Sequence, residues 1–327
     1  MITCLPVPGI GEVTEGTDLA GVLAAAIELE DGDVLVVTSK AVSKAEGRVV
    51  RAAKDVALTA ETDRVVARRG ATSIVRTRLG LTMAAAGIDA SNTAPGTLVL
   101  LPLDPDGSAR ALREALVAGA GVNVAVLVSD TSGRAWRTGQ TDIAVGAAGI
   151  DVLDDHEGRD DGYGNVLAVT APALADEITA AADLVTGKLS RSPAAVVRGL
   201  GDRVFPPGEH GPGAVALLRP EEQDMFGLGA REAVLAAAGR TDARGFGSPA
   251  PAVTLAAALA AVLPADATAV ASDAATVALT LPAEEQLGPR GLGALVERAE
   301  MTAHAHGWRG DASWPGHGPR SFSPAGP

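Results

Sequence analysis

Aromatic side chains are nearly missing from this chain: four phenylalanines, three tryptophans and one tyrosine make up 2% of its 327 residues. A core must therefore be aliphatic, and the length leaves ample chain to bury one, as two domains or as one large domain with an extension. Cysteine occurs once, at Cys4, which excludes an internal disulfide and leaves a zinc or iron–sulfur cluster without a ligand set. Lysine is scarce too, at Lys40, Lys44, Lys54 and Lys188 only; nearly all other cationic charge is written as arginine. Abundant Ala, Gly, Val and Arg read as the drift of a GC-rich genome and carry no functional signal. Net charge is −13, from 27 basic and 40 acidic residues, so bulk electrostatics disfavour nucleic acid as a partner. No secretion signal is evident at the N-terminus. The most apolar later stretch, PAVTLAAALAAVLP, is too short and too Ala-rich to span a bilayer. A soluble, cytoplasmic protein without a membrane partner is expected.

What is present alternates between short apolar runs and helical spacing, which predicts an α/β protein. Asp18 is a candidate N-cap for a helix running to Glu30. VLVVTS (34–39) reads as a buried strand, with the lysine pair in the loop that follows. Residues 55–69 read as a helix rich in both charges, GTLVLLPLDPDGS as a strand and turn, and SARALREALVAG as an amphipathic helix. VNVAVLVSD (122–130) is the strongest strand pattern, followed by SGRAWRTGQTDIAVGAAGI as a Gly-rich connection and DDHEGRDDGYGN as an acidic loop. A helix then closes near Gly187 and Lys188, and PAAVVRGLG is a further strand. From about residue 230 Ala, Pro and Gly dominate, and WRGDASWPGHGPRSFSPAGP reads as a mobile tail. Residues 1–230 are thus expected to carry function and 231–327 to form an extension.

Four places carry chemistry. Thr38, Ser39, Lys40, Ser43 and Lys44 follow a strand's C-terminal end, where ligands of α/β sheets gather, and their hydroxyls and ammonium groups suit phosphate oxygens. A solvated loop is the plainer reading, and neither GxxxxGK[ST] nor GxGxxG occurs. Asp89-Ala-Ser-Asn92 offers a carboxylate and an amide to a hard cation or to a helix cap. Asp130 and Thr131, at the end of the strongest strand, suit magnesium beside a phosphate; the alternative is a turn-forming aspartate. SGRAWRTGQTD places Arg134 and Arg137 where they can clamp carboxylates or phosphates, with Gln140 and Asp142 nearby. The five histidines, His156, His210, His304, His306 and His317, have no Ser or Cys partner in a nucleophile motif, so acyl-enzyme hydrolysis is disfavoured. The residues imply an anionic substrate, a nucleotide or a phosphoryl group, held by cations and carboxylate-bound metal.

LPVPGIGEV, DGDVLVVTSKAVSKAEGRVV, RLGLTMAAAGIDASN, VSDTSGRAWRTGQTDIAVGAAGI, ADEITAAADLVTGKL and VVRGLG, in this order over roughly residues 1–230, closely resemble the coenzyme F420-0:L-glutamate ligase family, and in particular the N-terminal ligase domain of the bifunctional actinobacterial form. The resemblance implies a two-lobed fold, a homodimer, and GTP-dependent ligation of L-glutamate to F420-0 or its dehydro form through an acyl phosphate, with γ-linked addition after the first. It implies nucleotide contacts at Ile10, Gly11, Glu12, Val13, Ser39, Lys44 and Asn92, and metal ligands at Asp89, Asp130 and Thr131. Two divalent ions, Mg2+ or Mn2+, are expected, with K+ a further candidate. Lys44 is expected against the nucleotide phosphates, and Lys40 to fix the loop or add to the local field. Arg134 and Arg137 are our own candidates for holding substrate. Residues 231–327 are too short for the complete flavin-binding, nitroreductase-like domain of the bifunctional form and are expected to be an incomplete remnant without FMN. The rival readings are a metal-dependent phosphatase or NTPase, and a non-catalytic deazaflavin- or nucleotide-binding module.

Overall fold

The computed structural model of the chain describes residues 1–90, 93–187, 192–312 and 318–325. By contacts it divides into Met1–Arg64 with Thr72–Leu218, and Val65–Ala71 with Arg219–Pro327. Helices and several sheets make it a mixed α/β protein. Along Met1–Leu218 the chain runs β1 (Thr3–Pro6), α1 (Leu19–Ala26), β2 (Val34–Thr38), α2 (Ser39–Ala45), β3 (Val49–Val50), α3 (Lys54–Glu61), β4 (Thr62–Arg69), β5 (Thr72–Thr77), β6 (Thr82–Ala84), β7 (Leu98–Val99), α4 (Pro105–Ala120), β8 (Ala125–Arg134), β9 (Arg137–Ala148), α5 (Leu174–Thr186) and β10 (Ala194–Arg198).

The central sheet has the order β1-β10-β2-β8-β9, with β2 and β8 parallel and the other neighbours antiparallel. Successive side chains of a strand point to opposite faces, and here both faces are covered. Leu35, Val37, Val126, Val128 and Val196 join Ala20 and Leu23 of α1 and Ala109, Leu112 and Leu116 of α4 in one core. Val34, Val36, Ala125, Leu127 and Val197 join Ala175, Ile178 and Ala182 of α5 in another. That double burial is why β2 and β8 are written as unbroken apolar runs. Asp18 caps α1 by accepting from the Gly21 N–H at 3.0 Å. Asp104 does the same for α4 from Gly107, at 2.9 Å; Pro105 fits its first turn and Gly121 ends it at φ 69°.

Arg113 of α4 is 1% exposed. Its guanidinium donates to the carbonyls of Val124, Phe205, Pro206 and Glu209 and to Asn123 Oδ1, at 2.6–3.0 Å. Gly149 (φ 84°) admits it, since a Cβ there would stand 2.3 Å from Arg113 Nε.

Four expectations change. The lysine pair lies in a helix, α2, that begins where β2 ends. The helix over 55–69 stops at Glu61, because Thr62, Val65 and Val66 favour extended chain, and β4 follows. The Gly-rich connection after Asp130 is the second half of a long hairpin, β8–β9. Gly146 serves packing: a Cβ there would stand 2.3 Å from the Pro105 carbonyl oxygen. The stretch read as a mobile tail supplies two strands to the second unit.

That unit contains α6 (Ala230–Gly239), α7 (Ala252–Val262), β11 (Thr268–Asp273), β12 (Thr276–Thr280), α8 (Glu284–Ala305), β13 (Trp308–Gly310) and β14 (Arg320–Pro324), with a sheet of order β11-β12-β14-β13. Leu255, Leu259, Val277, Leu279, Ala299, Trp308 and Phe322 form its core. Among the described residues no helix is long and apolar enough to cross a membrane.

Candidate active site

The parallel pair β2–β8 places Thr38 opposite Ser129, so the next residues of both strands, Ser39 and Asp130, emerge side by side at the sheet's C-terminal edge. Ser39 is 4% exposed, and its hydroxyl donates to Asp130 Oδ1 at 2.8 Å. Across the hairpin Thr131 faces Asp142, a buried carboxylate that accepts from Ser129 Oγ at 2.9 Å and from Thr131 Oγ1 at 2.8 Å. Burial pushes the Asp130 carboxyl up to about 6, and the negative charges of Asp142 and Asp89 push the same way; the Ser39 hydroxyl and the Thr131 N–H oppose them. Like charges brought together in a partly buried place disfavour ionisation, and a cation among them reverses that.

Asp89 is fixed by backbone bonds to Val99 in both directions, at 3.0 and 2.8 Å. Lys40 reaches it from α2, Nζ to Oδ2 at 2.5 Å. One turn later on the same helix, Lys44 Nζ lies 2.6 Å from Glu12 Oε1. Lys44 and Glu12 line a cleft of about 270 Å³ with Val13, Thr14, Glu15, Gly47, Val49, Thr93, Ala94 and Thr97. The two lysines thus have separate duties: Lys40 faces the carboxylates and Lys44 the cleft.

The structure brings together Ser39, Asp130 and Thr131, with Asp89 within electrostatic reach, and sets Glu12, Val13 and Lys44 around the cleft. Ile10 and Val13 place their side chains in the core, while Gly11 (φ 74°) and Glu12 are exposed. Asn92 lies outside the described residues, as do Lys188 and His317. Arg134 and Arg137 do not join the carboxylates. They face each other at the tip of the β8–β9 hairpin, four residues beyond Asp130, or about 14 Å at strand rise. Sequence reasoning gave Asp142 no site role. Its signal was register: once β9 is a strand, Asp142 falls opposite Thr131.

Among the described residues no group of three or more His, Cys, Asp or Glu stands ready to hold a metal ion. By donor type Asp89, Asp130 and the Thr131 hydroxyl fit a hard, oxygen-seeking divalent cation, and their charge favours one.

A family model described as F420-0:Gamma-glutamyl ligase matches residues 9–199, which is more than half the chain and holds every residue of this cluster. The chain belongs to the F420-0:gamma-glutamyl ligase family. Relatives named Coenzyme F420:L-glutamate ligase agree. The one from Archaeoglobus fulgidus is 37% identical over 247 residues, 69% of this chain and 96% of the relative. That from Methanopyrus kandleri is 41% identical over 245 residues, 68% and 96%. That from Methanothermobacter thermautotrophicus is 37% identical over 254 residues, 69% and 98%. As a member of the gamma-glutamyl ligase family the chain is a ligase.

Proposed function

We propose that this chain joins L-glutamate to coenzyme F420-0, or to its dehydro form, in a cytoplasmic reaction driven by GTP, and then extends the product through γ-linked glutamates. The observation that carries the reading is the cluster Ser39–Asp130 and Lys40–Asp89 beside the Lys44 cleft, in a chain 37–41% identical to named ligases. A carboxylate is a poor electrophile. In the proposed sequence an oxygen of the acceptor's lactyl carboxylate attacks the γ-phosphorus of GTP, and GDP leaves. The glutamate amine then attacks the resulting acyl phosphate, inorganic phosphate leaves with the C–O bond electrons, and the amine proton passes to solvent.

In this reading the nucleotide enters the Glu12–Lys44 cleft, and Lys44 exchanges Glu12 for phosphate oxygens. Asp89, Asp130 and Thr131 would hold Mg2+ or Mn2+, two ions in all, which when bound screen charge between the carboxylate and the γ-phosphate. Ser39 orients Asp130, and Lys40 holds Asp89 in place. Arg134 and Arg137, the candidates for holding substrate, would contact the acceptor farther along the hairpin. A homodimer is part of the proposal.

The test is an incubation with GTP, magnesium or manganese, L-glutamate and F420-0, followed by mass spectrometry, for wild type and Asp130→Asn. An acceptor heavier by one or more glutamyl units, and no such product with the variant, is the expected result. GTP hydrolysis without a mass shift would overturn ligation on this acceptor and favour a phosphatase.

A further inference from the structure

The hairpin tip carries a feature that phosphate and metal chemistry leaves unexplained. Trp136 stands at φ 60°, a left-handed backbone that bulky L-residues rarely adopt and that is strained when they do. Its side chain is 83% exposed, in a chain whose other described tryptophan, Trp308, is 2% exposed. Tryptophan is highly buried on average, so this position holds a large flat apolar surface in solvent at some cost to the fold. It sits between Arg134 and Arg137, a facing pair in the strand register. Arg134 is tied to the hairpin by donating from Nη2 to the Thr138 carbonyl at 3.2 Å. A flat aromatic surface between two guanidinium groups matches a planar ring that carries hydrogen-bond acceptors at its edge.

We infer that the β8–β9 tip is the platform for the ring end of the acceptor: Trp136 stacks on its heteroaromatic ring system, while Arg134 and Arg137 flank the ring and donate to its carbonyl oxygens. This rests on the proposed function and deepens it, since F420-0 carries its reacting carboxylate at the far end from its ring. Ribityl chain, phosphodiester and lactyl group place about ten bonds between the two, roughly 12 Å when extended. From Asp130 to the tip the hairpin rises on the order of 15 Å. An acceptor laid along the hairpin would have its carboxylate at the carboxylate cluster, its phosphodiester, about three bonds away, near that same end, and its ring on Trp136 at the tip. No bond is made or broken at the tip; Trp136 is a positioning and specificity residue.

Calorimetric titration of F420-0, without GTP or glutamate, into wild type, Trp136→Ala and Trp136→Phe tests this, alongside an alkyl phospholactate that lacks the ring. Sedimentation of each variant accompanies it. Stacking of a heteroaromatic ring on an aromatic side chain commonly contributes a factor of about ten to one hundred in affinity. The expected result is that loss for Trp136→Ala with F420-0, little change for Trp136→Phe, and no change for the ringless probe. KM for F420-0 should rise in parallel while GTP affinity holds. Trp136→Ala binding F420-0 as wild type does would overturn the platform and leave the ligase reading standing. Equal weakening toward both probes, or a smaller sedimenting species, would also overturn it and assign Trp136 to structure or assembly. A wild type that ligates no glutamate yet loses F420-0 affinity with Trp136→Ala would sink the ligase reading and keep the platform. Wild type binding no F420-0 would overturn both.

Discussion

Lys44 and Arg113 are both cations with oxygen partners, yet they answer to different demands. Lys44 meets one exposed carboxylate at the mouth of a cleft, a pairing of small net value in water and therefore easy to exchange for a ligand. Lys44→Ala should weaken GTP binding by about tenfold or more, the scale of one charge-assisted hydrogen bond, with Tm nearly unchanged; isothermal titration and a thermal melt read the two separately. Arg113 is buried against four carbonyls and an amide oxygen, and no ligand is needed to explain it. Arg113→Met keeps most of the volume and removes every donor, so urea unfolding should show a loss of about 3 kcal/mol or more. Asp161 supplies a pH-dependent case. The Asn165 side chain first, then the N–H groups of Asn165 and Tyr163, hold its carboxyl below the usual range. A depressed folded value means the loop's stabilisation is complete above the ordinary carboxylate pKa, about 4, and is lost as pH falls through the lower folded value. Amide exchange at Tyr163 and Asn165 should therefore accelerate on acidification beyond its intrinsic pH dependence, and Asp161→Asn should abolish that excess.

Among the elements, α2 and the β8–β9 hairpin decide the site. α2 starts where β2 ends, and its turn spacing sends Lys40 and Lys44 to two different carboxylates. The hairpin sets Asp142 behind Thr131 and then carries the chain outward to Trp136. Gly146 anchors its return strand against α4, so Gly146→Val should perturb the sheet and reduce ligase activity, with circular dichroism and activity falling together. Much of this was legible in the residues. VLVVTS and VNVAVLVSD read as strands because burial on both faces demands unbroken apolar runs, and Asp18 announced its helix by its cap. The lysine pair was singled out as a candidate but not read as a helix, because seven residues are too few for helical periodicity to show. β9 was not legible, since Gly133, Gly139 and Gly146 mimic a loop, and the packing reason for Gly146 lies at Pro105 of α4, a distant part of the sequence. Asp142 was named in the β9 stretch but given no role of its own. Pairing such as Lys40 with Asp89 is a fact of tertiary structure, and spacing alone does not contain it.

At the scale of the whole molecule, the family match covers residues 9–199 and the carboxylate cluster falls inside it, while Arg219–Pro327 with Val65–Ala71 forms a unit with its own core. The scarcity of aromatics predicted an aliphatic core and the Ala, Pro and Gly content a mobile tail, yet Trp308 and Phe322 from that stretch lie in this core. Trp308→Ala should cost about 3–5 kcal/mol locally. Hydrogen exchange should report it as lost protection in α7 and β11–β14, with β2 and β8 unchanged.

The scarcity of aromatic residues has an optical consequence. Trp136 and Trp308 lie in different units and opposite environments, so once Trp314 is replaced by phenylalanine the untagged protein carries two separable emitters. Acrylamide should quench the red-edge emission of Trp136, while the blue-edge emission of Trp308 should persist until the C-terminal core melts. One spectrum would then follow occupancy of the hairpin tip and integrity of the second unit together.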